Sequence, residues 1–192
     1  HPAGLLPAFL RHGPPGLRAE RPVPVVFTIH NLAHQGIAEP ELAAKLGLEP
    51  GLMAPMGPLE FHGDMNPMKV ALFLADRITT VSCGYAGEIR HAAFGEGLEG
   101  VLEHRHRRLH GILNGVDYDT WSPDKDAHIP HRYSRKRPAG KKKNKRYVLD
   151  HLRFTGDEEA PLLGIISRLA EQKGFDVCVP VLPEILATTD LR

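Results

Sequence analysis

The chain reads as an α/β protein built on a parallel, doubly wound sheet, and three observations in the sequence predict it. Short β-branched runs recur at residues 23–29 (VPVVFTI), 77–81 and 162–167 (LLGIIS). Segments of helical spacing, with capping residues and prolines at their starts, separate those runs. Each run also ends in polar residues, and open α/β sheets bind ligands outside the carboxyl ends of their strands.

Residues 23–29 predict a buried strand that delivers His30 and Asn31 at its carboxyl end. Residues 39–60 are punctuated by proline and glycine and predict a loop with a short helix. Asn66 can cap a helix that has Pro67 in its first position and runs to about Ala75. Residues 77–81 predict the next strand, after which Ser82 caps a helix through about His91. A helix over 100–109, a short strand over 110–113 and the Asn114-Gly115 turn complete this pattern. A domain junction is expected near residues 114–123, where Asp117, Asp119 and Ser122-Pro123 break the structure, dividing the chain into 1–116 and 117–192. Helical spacing resumes over 144–152, and the strand at 162–167 opens a new α/β unit. The helix after it should break in two, because Pro180 and Pro183 fall inside its period.

With 42% hydrophobic residues in 192, the chain has enough apolar material for a real core. A net charge of +1 gives no overall electrostatic case for nucleic acid or a membrane surface. No apolar stretch reaches the roughly eighteen residues that suggest a membrane-spanning helix. Cys83 and Cys178 stand far apart and lack metal-ligand spacing, so they are expected to be buried free thiols in a reducing, cytoplasmic compartment. A start at His1 rather than Met, and an end just past a helical pattern, suggest a piece of a longer protein.

Several constellations invite functional readings. Gly95-Glu96-Gly97-Leu98-Glu99-Gly100 matches a dinucleotide-binding fingerprint, but that motif must follow a strand, and here the preceding residues are helical. An inter-helix loop is the better account. His104, His106 and His110 lie among Arg105, Arg107 and Arg108, which would repel a metal ion, so no metal site is expected. The basic run from Arg132 to Arg146 has no acidic residue within it and only Tyr133 and Tyr147 as aromatic platforms, which favours an exposed helix and loop over a polyanion site.

The polar turn after residues 162–167 is the strongest signal. It places Arg168 and Lys173 at a strand's carboxyl end and beside a helix start, with Gly174 allowing the turn, an arrangement suited to phosphate. An ordinary solvated pair of loop cations fits the same spacing. His30-Asn31 could merely cap a turn, and Asn114 could merely be turn chemistry.

The segment SRLAEQKGFD (167–176) resembles the SRL-x-x-QKG-[FL]-D signature of bacterial glycogen synthases and plant starch synthases. FTIHNLAHQG (27–36), LEFHG (59–63), NPMKVALFLADRITTVS (66–82), GLEGVLEHR (97–105) and GILNGVDYDTWSPDKD (111–126) resemble further segments of that family, in its order. The resemblance implies the GT-B glycosyltransferase architecture, in which two Rossmann-like domains face a cleft. Residues 1–116 would belong to the first domain, and 117–192 to the linker and the start of the second. It also implies retaining transfer of glucose from ADP-glucose to the non-reducing end of an α-1,4-glucan, with no cofactor. By position, Arg168 and Lys173 would hold the donor diphosphate, and Asn114, His30 and Asn31 would contact substrate. The family's catalytic histidine would be His1 only with a one-residue insertion, since counting back from Gly4 sets it on Pro2.

Departures from the family pattern are His34 for a tyrosine and Cys83-Gly84 for Pro-Thr. The family's K-x-GGL loop and its glutamate-containing E-P-[CF]-G-L segment are missing from these residues. The 192 residues alone are therefore expected to be inactive. Another GT-B nucleotide-sugar transferase and a non-catalytic glucan-binding derivative are the alternatives.

Overall fold

A computed structural model describes residues 2–155 and 157–191. The chain divides into two compact units, His1–Gly115 and Val116–Arg192.

In the first unit a single 3-10 turn, Pro2–Leu5, leads into α1 (Leu6–His12), and β1 (Val26–Ile29) follows. After α2 (Glu41–Lys45) comes a small antiparallel hairpin of β2 (Glu60–Phe61) and β3 (Asp64–Met65). Then come α3 (Pro67–Leu74), β4 (Arg77–Thr80), α4 (Cys83–Glu88), α5 (Glu99–His104) and β5 (Leu109–Gly111). The three longer strands form a parallel sheet in the order β1-β4-β5, with Ile29 opposite Thr80 and Thr80 opposite Gly111. The α/β class is thus as the sequence predicts.

Local chemistry sets the helix starts. The Asn66 side chain accepts from the Lys69 amide at 3.0 Å, with Pro67 in the first helical position. Ser82 accepts from the Tyr85 amide at 2.9 Å. Both caps are those predicted, and each satisfies a donor that the first turn leaves open.

α3 explains how one helix organises the core. Met68, Ala71, Leu72 and Ala75, spaced at i, i+3, i+4 and i+7, pack with Phe27, Ile29, Ile78 and Leu102. Val70, on another face, packs with Leu5, Ala8, Leu52 and Leu59. A helix that is apolar on both faces must be buried on both, which is how α3 comes to separate two clusters. Gly111 marks a close approach: a Cβ there would lie 2.2 Å from the Ser82 carbonyl oxygen.

Four expectations need correction. The first strand is shorter than 23–29 and only half-buried, because Phe27 and Ile29 face the core while Val26 and Thr28 face solvent. Residues 162–167 form no strand. Ile166 is fully exposed, and among the described residues the second unit offers no neighbouring strand whose backbone groups could pair with this run. Both cysteines are free as expected but exposed rather than buried, since Cys83 opens α4 at the sheet edge and Cys178 lies on a helix with no buried residue among those described. Finally, the helix expected to break is continuous.

In the second unit, α6 (Ala139–His151) carries much of the basic run, and α7 spans Phe175–Thr188 with Pro180 and Pro183 inside it. The two prolines lie three residues apart and so share one face of α7. Leu149 and Ala160 are the buried apolar residues of this unit among those described.

Three of the cations of α6 are matched from nearby. Lys142 pairs with Glu159 at 3.1 Å, Arg146 pairs with Asp150 at 3.0 Å and also with Glu158, and Lys145 donates to the Ala160 carbonyl at 2.5 Å. The basic run is therefore an exposed helix with acidic partners beyond its own end. No described helix is long and apolar enough to cross a membrane.

Candidate substrate-binding site

The predicted site residues fall into two groups, one on each unit. In the first unit the parallel sheet sets the geometry: β1, β4 and β5 run the same way, so the residues just after each strand share one edge. His30-Asn31 continues β1, Val81-Ser82 continues β4, and Asn114 comes three residues after β5. His30 and Asn114 are exposed there, and Asn31 is half-buried. Asn31 accepts from the Ala33 amide at 3.0 Å, the turn-capping bond that its residue type favours.

Beyond Asn31 the loop is held from beneath. Buried Gln35 accepts from the Asn66 amide at 2.5 Å and donates to the Glu96 carbonyl at 2.8 Å, while its own carbonyl takes the Met68 amide at 3.3 Å. Leu32 donates to the Tyr85 hydroxyl at 3.2 Å. A hollow of about 500 Å³ lies over this loop, lined by Ala33, His34, Gln35, Gly36, Ile37 and Pro2. Gln35 and Asn66 were not among the predicted site residues. Their signal, polar residues inside otherwise apolar or capping motifs, is visible in the sequence, but the pairing across 31 residues is not.

Gly95 to Gly100 lie in the loop between α4 and α5 and at the start of α5, as expected, with Gly97 in the left-handed region at φ 80°. A hairpin missed in the sequence contributes a second fixed point. His62 and Gly63 both have positive φ, a two-residue turn usually made by Asn-Gly, and Glu60 accepts from the Gly63 amide at 2.9 Å. That bond, followed by the charge of Lys69, holds the Glu60 carboxyl below the usual carboxylate range.

In the second unit, Arg168 and Lys173 flank a tight turn. The Lys173 amide donates to Ala170 at 2.9 Å, Glu171–Lys173 make one 3-10 turn, and Gly174 enters α7 at φ 69°, ψ 25°. Only glycine adopts that conformation at little cost. The Val177 and Cys178 amides both donate to the Gly174 carbonyl, which begins α7 directly after the two cations. Arg168 and Lys173 are exposed, and neither has a side-chain hydrogen bond or ion pair among the described residues. Both cations stand open to solvent beside the start of a fourteen-residue helix.

His1 lies outside the described residues. No group of three or more His, Cys, Asp or Glu able to hold a metal occurs among those described, and His104, His106 and His110 do not form one.

Residues 1–104, more than half of the chain, match the family model of the starch synthase catalytic domain. The chain is 45% identical over 185 residues to a glycogen synthase of Roseobacter denitrificans, covering 96% of this chain and 37% of that protein. It is 45% identical over 179 residues to one of Alkalilimnicola ehrlichii, covering 90% and 37%. The catalytic domain of starch synthase IV from Arabidopsis thaliana, solved bound to ADP and acarbose, superposes with a TM-score of 0.76 at 32% identity. That match covers 85% of this chain and 34% of the other. The chain thus spans little more than a third of the length of these relatives.

Proposed function

The chain belongs to the starch synthase catalytic-domain family, a member of the GT-B fold, and from that premise we propose that the complete protein transfers glucose from ADP-glucose to the 4-hydroxyl at the non-reducing end of an α-1,4-glucan, with retention. On this reading residues 1–116 are the later part of the first Rossmann-like domain, and 117–192 are the linker and the start of the second. The observation that carries it is the turn at 168–174, with two uncommitted cations beside a helix start.

In the reaction the bond between glucose C1 and the diphosphate oxygen breaks, a bond from C1 to the acceptor oxygen forms, and negative charge grows on the departing ADP. A guanidinium fork at Arg168 and a point charge at Lys173 stabilise that charge more in the transition state than in the ground state. These two groups supply the countercharge, so the proposal includes no resident cofactor. His30, Asn31 and Asn114, gathered at the carboxyl edge of the sheet, supply hydrogen bonds to substrate hydroxyls. A cytoplasmic location accompanies the reading, and free thiols suit a reducing compartment.

The test is glucose incorporation from ADP-glucose by the complete protein. Arg168→Ala should lower kcat about a hundredfold, the scale of one lost donor to a developing anion. The 192 residues alone should incorporate nothing, because turnover needs every group positioned together. Unchanged kinetics in the substituted enzyme, or robust incorporation by the isolated residues, would contradict the proposal.

A further inference from the structure

The edge of the sheet opposite His30 and Asn114 is built from arginines. Arg77 opens β4 and Arg108 immediately precedes β5, and Asp76 stands between them and the start of β1, accepting from the Val25 amide at 2.8 Å. Arg11 pairs with Asp76 at 3.0 Å. Arg77 and Arg108 both donate to the Asp76 carbonyl, at 2.9 and 3.5 Å, and Arg105 donates to the neighbouring Ala75 carbonyl. Four guanidiniums thus converge where one carboxylate answers them.

Two observations show that the charge there is under-compensated. The Nε of Arg105 is buried without a hydrogen-bond partner. Burial, and then the charges of Arg108 and Arg11, lower the proton affinity of Arg105, so these side chains repel one another.

Beside Asp76 lies a hollow of about 410 Å³ that Arg11, Arg18 and Arg21 enter, walled by Pro22, Val23 and Pro24. Asp76 and Glu20 are its acidic lining residues. Arg18 is engaged by Glu49 at 2.6 Å, whereas Arg21 has no hydrogen bond or ion pair among the described residues. Arginine is the side chain that best matches the planar, multidentate oxygens of phosphate. The size of the hollow suits a small molecule rather than a polymer.

We propose that the amino edge of the sheet is a binding site for a small phosphorylated anion, seated in the hollow against Arg11 and Arg21 with Arg105 and Arg108 behind Asp76. It lies at the end of the strands away from the proposed substrate residues of the same unit, and its lining shares no residue with the turn at 168–174, so it is a second site. The apolar wall of prolines faces the unphosphorylated part of the ligand, and the arginines hold its oxygens.

The test is calorimetric titration of the 192-residue chain with pyrophosphate and orthophosphate, in an Arg168→Ala/Lys173→Ala background that removes the donor turn. Saturable pyrophosphate binding should persist in that background. Adding Arg21→Ala, at an exposed side chain with no hydrogen bond or ion pair among the described residues, should weaken it about tenfold, the scale of one charge-assisted contact. On titration the Arg105 Nε–H resonance should shift in the nuclear magnetic resonance spectrum of the same background. No saturable binding, binding indifferent to Arg21→Ala, or binding to duplex DNA without binding to pyrophosphate would each overturn the proposal.

Discussion

Ile78 and Ile166 sit in similar β-branched runs, RITT and GIIS, yet Ile78 is fully buried and Ile166 fully exposed. Strand β4 lies between β1 and β5, so its backbone groups pair on both sides and its side chains meet α3. The run around Ile166 has no strand beside it among the described residues, and Val177, Val179 and Val181 of α7 are exposed as well. Residue type is the same in both places; the difference is whether neighbours exist to exclude water. The unit that buries most of its apolar residues carries Asn31 and Asn114, for which a substrate role is proposed, and the arginine edge. The unit that buries few of them carries the turn at 168–174, proposed above to hold the donor diphosphate.

The largest expected effect that would break this contrast is in the core. Leu72→Ala should destabilise the first unit by about 2–5 kcal/mol in a denaturant titration, because the helix it leaves is packed on both faces. A loss well below that would mean that the two clusters do not share α3 as described. Next comes Asn66→Ala, which removes the α3 cap and leaves Gln35 short of a donor. About 1–2 kcal/mol is expected, with loosening of the loop at residues 30–37 visible by hydrogen exchange.

Acid should act on the same unit. The Asp76 carboxyl is held below its usual range, first by the Val25 amide and then by Arg11, and Glu60 likewise by Gly63 and Lys69. A carboxylate lowered in the folded state gives stability that is present above its unfolded value, near pH 4, and is lost as pH falls through its folded value. Thermal melts should therefore decline below about pH 4. In Asp76→Asn that decline should be shallower, and an unchanged acid profile would remove the assigned cause. The smallest effect is at the contrast's other end. Ile166→Ser should change the stability of the isolated chain by less than about 0.5 kcal/mol, as exposed substitutions do.

Legibility in the sequence divides along the same line. The caps at Asn66 and Ser82, the proline at the first position of α3, and the strands expected to end at Ile29 and, within one residue of the observed end, at Val81 are local signals read within a few residues. That His30-Asn31 and Asn114 each follow a strand was readable locally, whereas their shared edge follows from the parallel pairing of β1, β4 and β5. The 60–65 hairpin was missed because its turn is His-Gly, with His62 at a position usually held by Asn or Gly. The Gln35–Asn66 pair and the arginines around Asp76 depend on distant residues meeting, which no local pattern encodes. The expected strand at 162–167 failed for a related reason, since β-branched residues favour a strand only where another strand is available to pair.

Hydrogen exchange of the complete protein, with and without ADP, tests the role of the donor turn most directly. Slowed exchange of the backbone amides over residues 167–178 on adding ADP is the predicted result. Protection confined to other regions, with those amides exchanging at an unchanged rate, would contradict it.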